Sequence, residues 1–223
     1  MTFSRAFALS LAVGWFFFGV AARAQVTIRH DPPAVEHKSF DPANPPQQMP
    51  HLDPGEAAVT ETIFNCAVKS FTKDTAHHAV GQTCQSVAKV DALEITLSLH
   101  VIVWLPNGAP QKLIAHEEGH RRIAEQIYKE RADAAARAAA AKVNDHEFHG
   151  AGGDFDQSDH ALESALRDAQ NHLCDAYLAQ TGGVASRVGD LYDQITNHGT
   201  RYRPAEDQAI TEAFDRYTKE QKK

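Results

Sequence analysis

Apolar and polar positions alternate clearly along the chain between residues 87 and 105. The apolar positions on one face are Ile95, Leu97, Leu99, Val101 and Val103. A period of two over this length predicts a half-buried antiparallel β-strand. Residues 59–72 are rich in β-branched and aromatic side chains and predict a second strand. The turn formers at 106–108 end the alternation, so a new element is expected after them.

Stretches rich in helix formers predict the helices that follow. From Gln111 to about Asn144 the only glycine is Gly119, and the stretch predicts one long helix. Further helices are expected over 158–181, 184–195 and 204–219. The glycines that follow 146–149 predict a helix end running into a mobile loop. The order of elements predicts an α+β fold, in which a small antiparallel sheet leads into a long helix that packs with further helices.

The first two dozen residues have the pattern of an export signal. Arg5 precedes an apolar run over 6–22, and Ala22-Arg23-Ala24 supplies small residues at the cleavage-recognition positions. We expect a signal peptide over 1–24 and a periplasmic or secreted mature protein; the alternative is an uncleaved membrane anchor. No later stretch approaches the roughly 18 apolar residues of a membrane span, so stable membrane insertion after cleavage is not expected.

Composition shifts divide the rest of the chain. Residues 25–56 hold most of the ten prolines and few large hydrophobic side chains, which predicts a proline-rich leader or tether. Residues 57–223 are then the folded domain. The formal net charge of −7 argues against a nucleic-acid partner, since phosphate binding favours a basic surface. Nothing in the sequence indicates the oligomeric state.

Residues 116–120 have the sequence His-Glu-Glu-Gly-His, which matches H-E-x-x-H inside the predicted long helix. Residues four apart share one helix face, so His116 and His120 can bind one Zn²⁺. Glu117 then lies beside the metal, where it can take a proton from zinc-bound water. The alternative is a pair of surface histidines, but Ile123 continues the same face and predicts that it is buried. We therefore expect a zinc site with Glu117 as the catalytic base.

A third zinc ligand must come from elsewhere, because catalytic zinc ions usually have three protein ligands. The chain after His120 lacks the glycine and the third histidine of the extended metzincin motif, which excludes that arrangement. The remaining candidates are Glu147, Glu163, Asp193 and His198. Glu163 lies in an ordinary amphipathic stretch, which favours a solvated side chain there.

A second motif, read together with the first, resembles the pattern of a known protein family. Residues 192–199, Tyr-Asp-Gln-Ile-Thr-Asn-His-Gly, taken with 116–120, resemble a family of exported bacterial proteins described as zinc-dependent proteases, which carry H-E-x-G-H and a later Y-D-x-x-T-x-H-G. The resemblance spans about 87–199 and implies a zincin-like fold. It favours His198 as the third zinc ligand over Asp193. Tyr192 has two open roles, a hydrogen-bond donor to the developing oxyanion or a core tyrosine.

Cys66, Cys84 and Cys174 allow one disulfide and one free thiol, and the residues alone leave all three pairings open. The family pattern implies a Cys84–Cys174 disulfide that leaves Cys66 unpaired.

These patterns together predict an exported single-zinc metallopeptidase that hydrolyses peptide bonds in a peptide or protein substrate. The edge of the strand at 94–105 is a candidate to hold an extended substrate. The alternative is a non-catalytic periplasmic zinc-binding or interaction protein, and an amidase acting on cell-wall peptides would use the same chemistry. The predictions leave open the substrate and whether the leader is a removable pro-segment.

Overall fold

The structure is a computed structural model that describes residues 25–52, 55–80, 83–144, 146–152, 158–201 and 204–222. The predicted signal peptide, 1–24, lies outside these residues. The elements follow in the order β1 (Gln25–His30), β2 (Ala34–Phe40), β3 (Val59–Val80), β4 (Thr83–Pro106), α1 (Gln111–Asn144), β5 (Glu147–Gly152), α2 (Ser158–Gln180), α3 (Gly182–Thr196) and α4 (Glu206–Glu220). Four of the five described strands precede the helices and only β5 lies between two of them, so the predicted α+β class is confirmed. No helix within the described ranges is long and apolar enough to cross a membrane.

The centre of the sheet is the long antiparallel hairpin of β3 and β4. Its register runs from Val59 opposite Trp104 to Val80 opposite Thr83, with a bulge near Phe71. On β4 the apolar positions of the alternating stretch are buried against the helices, as the period of two predicts. The strand ends at Pro106, and α1 begins five residues later at Gln111. The hairpin therefore delivers the chain directly to the helix that carries residues 116–120.

The sheet is mixed, which differs from the antiparallel sheet that the sequence predicts. Both β1 and β2 pair with β4 in parallel, β1 along Ala92–Leu97 and β2 along His100–Pro106. These strands come from 25–56, the stretch predicted as a leader or tether. Pro32 and Pro33 fall between β1 and β2 and so interrupt neither ladder. The prolines therefore mark the connection between two strands, and β4 has strand neighbours on both sides.

The region predicted as a helix end and mobile loop forms β5 instead. This strand pairs antiparallel with Cys84–Lys89 at the far end of β4. A Cβ atom at Gly150 would lie 1.8 Å from the carbonyl oxygen of Ala161, so this position tolerates only glycine as long as α2 stays where it is. Close packing of a strand on a helix, and not flexibility, accounts for glycine here.

Helices α1 and α2 pack on one face of the sheet and share its core. Their contact is built from small side chains, and the buried alanines are Ala132, Ala135, Ala136, Ala139 and Ala140 in α1 and Ala161, Ala165 and Ala169 in α2. The opposite face of the sheet carries a smaller cluster of Phe40, Ile102 and Trp104, against which Met49 and Leu52 pack. This second cluster holds the segment after β2 on the sheet near the start of α1.

The disulfide joins Cys66 in β3 to Cys174 in α2, with 5.5 Å between the Cα atoms. Cys84 is a buried free thiol. The family-based pairing of Cys84 with Cys174 is therefore wrong. The physical reason is the register of the hairpin: Cys66 lies opposite Leu97 in its middle, whereas Cys84 lies near its far end opposite Gly152.

Replacing Cys174 with serine is expected to lower the free energy of unfolding by about 2–5 kcal/mol, because the disulfide closes a long loop. Denaturant titration under non-reducing conditions measures the loss. The matched control is Cys84→Ala, which keeps the disulfide and costs roughly 1 kcal/mol as an ordinary core truncation. Peptide mapping that recovers Cys84 linked to another cysteine would contradict this assignment.

Candidate metal and catalytic site

Helix α1 places both histidines of the first motif on one face. The ring centroids of His116 and His120 are 4.9 Å apart, and the rings are nearly perpendicular at 87°. His116 is buried, and the side chain of His120 is 20% exposed. The spacing of four residues produces this arrangement, as the sequence predicts.

Helix α3 places the carboxylate of Asp193 beside both imidazole rings. Oδ1 of Asp193 lies 3.2 Å from Nε2 of His116 and 2.9 Å from Nε2 of His120. The three donor atoms lie within 4.8 Å of one another, close enough to share one ion. Two imidazole nitrogens and one carboxylate oxygen form a donor set that zinc accepts, and a fourth position stays open in such sites. The residues present therefore fit the metal that the first motif predicts.

The negative charge of Asp193 between the two imidazoles favours a bound cation. Burial alone would raise the pKa of the Asp193 carboxyl, but hydrogen bonds from His116 and His120 and their charges outweigh it, and this pKa is held far below its usual value. Asp193 is therefore an anion at neutral pH. A buried anion between two imidazoles is an electrostatic site for a divalent cation.

Thr196 offers a hydrogen-bond acceptor to Nδ1–H of His116. Its hydroxyl donates to the carbonyl oxygen of Tyr192 at 2.8 Å, and its Oγ1 lies 3.4 Å from Nδ1 of His116. Since the single hydroxyl proton is used on Tyr192, Oγ1 can only accept from His116 Nδ1–H. A cation that displaces the proton of His116 Nε2 would then meet a lone pair on the atom that faces Asp193, while Nδ1–H stays bonded to Thr196.

The absence of a side chain at Gly119 leaves room for the ring of Tyr192. A Cβ atom at Gly119 would lie 2.2 Å from the Tyr192 hydroxyl oxygen, so the tyrosine ring occupies the space that any other residue would fill. The ring stacks on His116 at a centroid distance of 5.1 Å, and its hydroxyl donates to the His116 carbonyl at 3.4 Å. Tyr192 is fully buried and does not line the cavity. Of the two predicted roles, the structure supports the core tyrosine and not the oxyanion donor.

Glu117 is 4% exposed and lies in the cavity wall beside the histidines. The Thr60 hydroxyl donates to its Oε2 at 2.7 Å, which orients the carboxyl group. Burial raises the pKa of Glu117 above its usual value, although His120, Thr60 and His116 oppose the rise. A carboxyl group with a raised pKa is suited to exchange protons near neutral pH.

The other third-ligand candidates lie apart from the two histidines. Glu147 is in β5 and forms a salt bridge with Lys89 at 2.8 Å. Glu163 is exposed on α2. The side chain of His198 is 53% exposed and lies 3.8 Å from Glu56, outside the group formed by His116, His120 and Asp193. The structure therefore brings Asp193, and not the predicted His198, onto the histidine pair. Asp193 lies inside the last turns of α3, whereas His198 follows the helix end.

A cavity of about 360 Å³ opens over this group. Its walls come from α1, α3 and the first residues of β3, and also from the segment before β3, which contributes His51 and Glu56. Sequence reasoning missed Thr60, Glu56 and His51 as site residues. No motif marks them, because they are far in sequence from residues 116–120 and reach the cavity only through long-range packing.

Comparison of the chain with protein-family models, with curated proteins and with solved structures found no match. The family resemblance of the two motifs therefore stays a prediction.

The contact between Gly119 and Tyr192 can be tested by Gly119→Ala. Alanine should stabilise a helix interior by about 1 kcal/mol over glycine, yet the clash with the ring is expected to destabilise the protein by about 1–3 kcal/mol. Gly183→Ala in α3 is the matched control, because its added Cβ atom would have its nearest neighbour at 3.9 Å. Denaturant titration should rank Gly119→Ala well below both the control and the wild type; equal stabilities would contradict the packing.

Proposed function

We propose that this protein is a zinc-dependent peptidase. The observation that carries the proposal is the position of Glu117, a buried carboxyl group in the wall of the same cavity as His116, His120 and Asp193. Holding a metal alone does not need such a group, and burying it costs free energy. A base beside a metal at the floor of a cavity is the arrangement that hydrolysis requires.

Each of these residues would have its own role in peptide hydrolysis. A zinc ion bound by His116, His120 and Asp193 would polarise the substrate carbonyl and increase the acidity of water. Glu117 accepts the proton of the attacking water and delivers it to the leaving amine. Thr60 holds the Glu117 carboxyl group in place for both transfers, since its hydroxyl donates to Oε2.

Among the strands that the structure describes, β3 is the one beside this site that could accept an extended substrate along its edge. Because β4 lies between β3 on one side and β1 and β2 on the other, its edge is not available for the substrate. Among the described strands β3 pairs with β4 alone, and its residues 59, 60 and 62 line the cavity. We propose that a peptide binds along the start of β3, where main-chain hydrogen bonds give affinity with little dependence on sequence.

We also propose that the protein is exported. The Cys66–Cys174 disulfide supports an oxidising compartment, which agrees with the predicted signal peptide and with a periplasmic or secreted location.

The ligand set is tested by comparing two variants. Asp193→Asn keeps the shape of the side chain but removes its charge, so zinc affinity is expected to fall by more than about 100-fold, beyond the effect of outer-sphere changes. His198→Ala is expected to change the affinity of this site by less than about tenfold. Competition of the purified protein with a chelating dye measures both values. The reverse ranking would move the ligand to His198.

Turnover is tested by Glu117→Gln, which keeps the size of the side chain but cannot accept a proton. Zinc binding should survive while the rate falls by about 10² or more. The matched control is Glu118→Gln, one residue away and paired with Arg121 outside the cavity, which should retain turnover.

The assay for these variants uses a mixture of unfolded proteins and cell-wall peptides with zinc-loaded and chelator-treated enzyme. Full activity in Glu117→Gln would contradict the proposed chemistry. Absence of cleavage by the zinc-loaded wild type would favour a non-catalytic zinc-binding protein.

A further inference from the structure

A second group of metal-binding side chains lies beside the first. Glu56, Asp193 and His198 each offer a donor atom, and these atoms lie within 4.8 Å of one another. All of them line the cavity that also holds His116 and His120. The proposed hydrolysis uses Asp193 but neither Glu56 nor His198, so these two side chains have no role in it.

Asp193 belongs to both groups. Its close contacts with His116 and His120 are both made by Oδ1. A carboxylate has a second oxygen, and the two oxygens of one carboxylate can bind different cations. Oδ2 is therefore the oxygen that Asp193 would offer to a cation in the second group.

The turn after α3 holds His198 next to this bridge. Asn197 and His198 both have left-handed backbone conformations, with φ of 52° and 51°. Asparagine and histidine adopt this conformation more readily than most residues, and it is common where a helix ends. The His198 amide donates to the carbonyl oxygen of Asp193 at 3.1 Å. The next residue, Gly199, packs so closely on His116 that a Cβ atom would lie 2.8 Å from the His116 Cβ. The first group thus fixes the position of the second.

We propose that Glu56, Asp193 and His198 form a second binding site for a divalent cation of the zinc type, bridged to the first site by Asp193. The inference rests on the proposed zinc site. One imidazole and two carboxylates are donors that zinc accepts. The second site binds more weakly than the first, because His198 is 53% exposed and because Asp193 shares its charge between two cations.

Zinc titration of the purified, metal-free chain tests this site. Calorimetry of the wild type should show two binding events whose affinities differ by about tenfold or more. Glu56→Gln and His198→Ala should each keep the tight event and lose the weak one. The matched control is His51→Ala, since His51 lines the same cavity but belongs to neither group, and it should keep both events. Circular dichroism of each variant checks that it is folded.

Three results would overturn the second site. They are a single event in the wild type, a weak event that persists in both Glu56→Gln and His198→Ala, and loss of the tight event in His198→Ala. His116→Ala separates this failure from failure of the first site, because it should remove the tight event. A tight event that survives in His116→Ala would contradict the proposed function itself, whatever the other variants show.

Discussion

The site depends on the packing of the Tyr192 ring against Gly119. Because Gly119 has no side chain, α3 can approach α1 closely enough for the ring to stack on His116. The same approach places Asp193, the next residue, between the two imidazoles, and Thr196, one turn later, against Nδ1 of His116. A larger residue at 119 would push α3 away and separate the donor groups. One missing side chain therefore permits the whole ligand arrangement.

Two buried carboxyl groups in this cavity have opposite electrostatic surroundings. Burial alone would raise the pKa of Asp193, but hydrogen bonds from both histidines hold this pKa low and keep the carboxylate charged. For Glu117 burial is the largest influence and raises the pKa, while Thr60 supplies its hydrogen bond. Environments that push the pKa values of neighbouring acids apart assign them different roles. Under the proposed function, Asp193 would therefore hold the cation and Glu117 would move protons.

The sequence predicts those parts of the protein that local periodicity determines. The alternating stretch forms the strand β4, as predicted. His116 and His120 lie side by side on α1, as their spacing of four residues predicts. The local sequence pattern does not show whether Asp193 or His198 lies beside the two histidines, because these candidates are only five residues apart. The packing of α3 on α1 determines which of them contacts the histidines. The same limit applies to 25–56, where proline content predicted a tether although β1 and β2 complete the sheet. Long-range pairing is not visible in composition.

The central claim is that His116, His120 and Asp193 hold the cation. The most direct test is a crystal structure of the protein with one equivalent of zinc, measured with anomalous scattering at the zinc absorption edge. The account predicts one strong anomalous peak about 2.0–2.2 Å from Nε2 of both histidines and from a carboxylate oxygen of Asp193. A peak bound by His198 and Glu56, with His116 and His120 unligated, would contradict it.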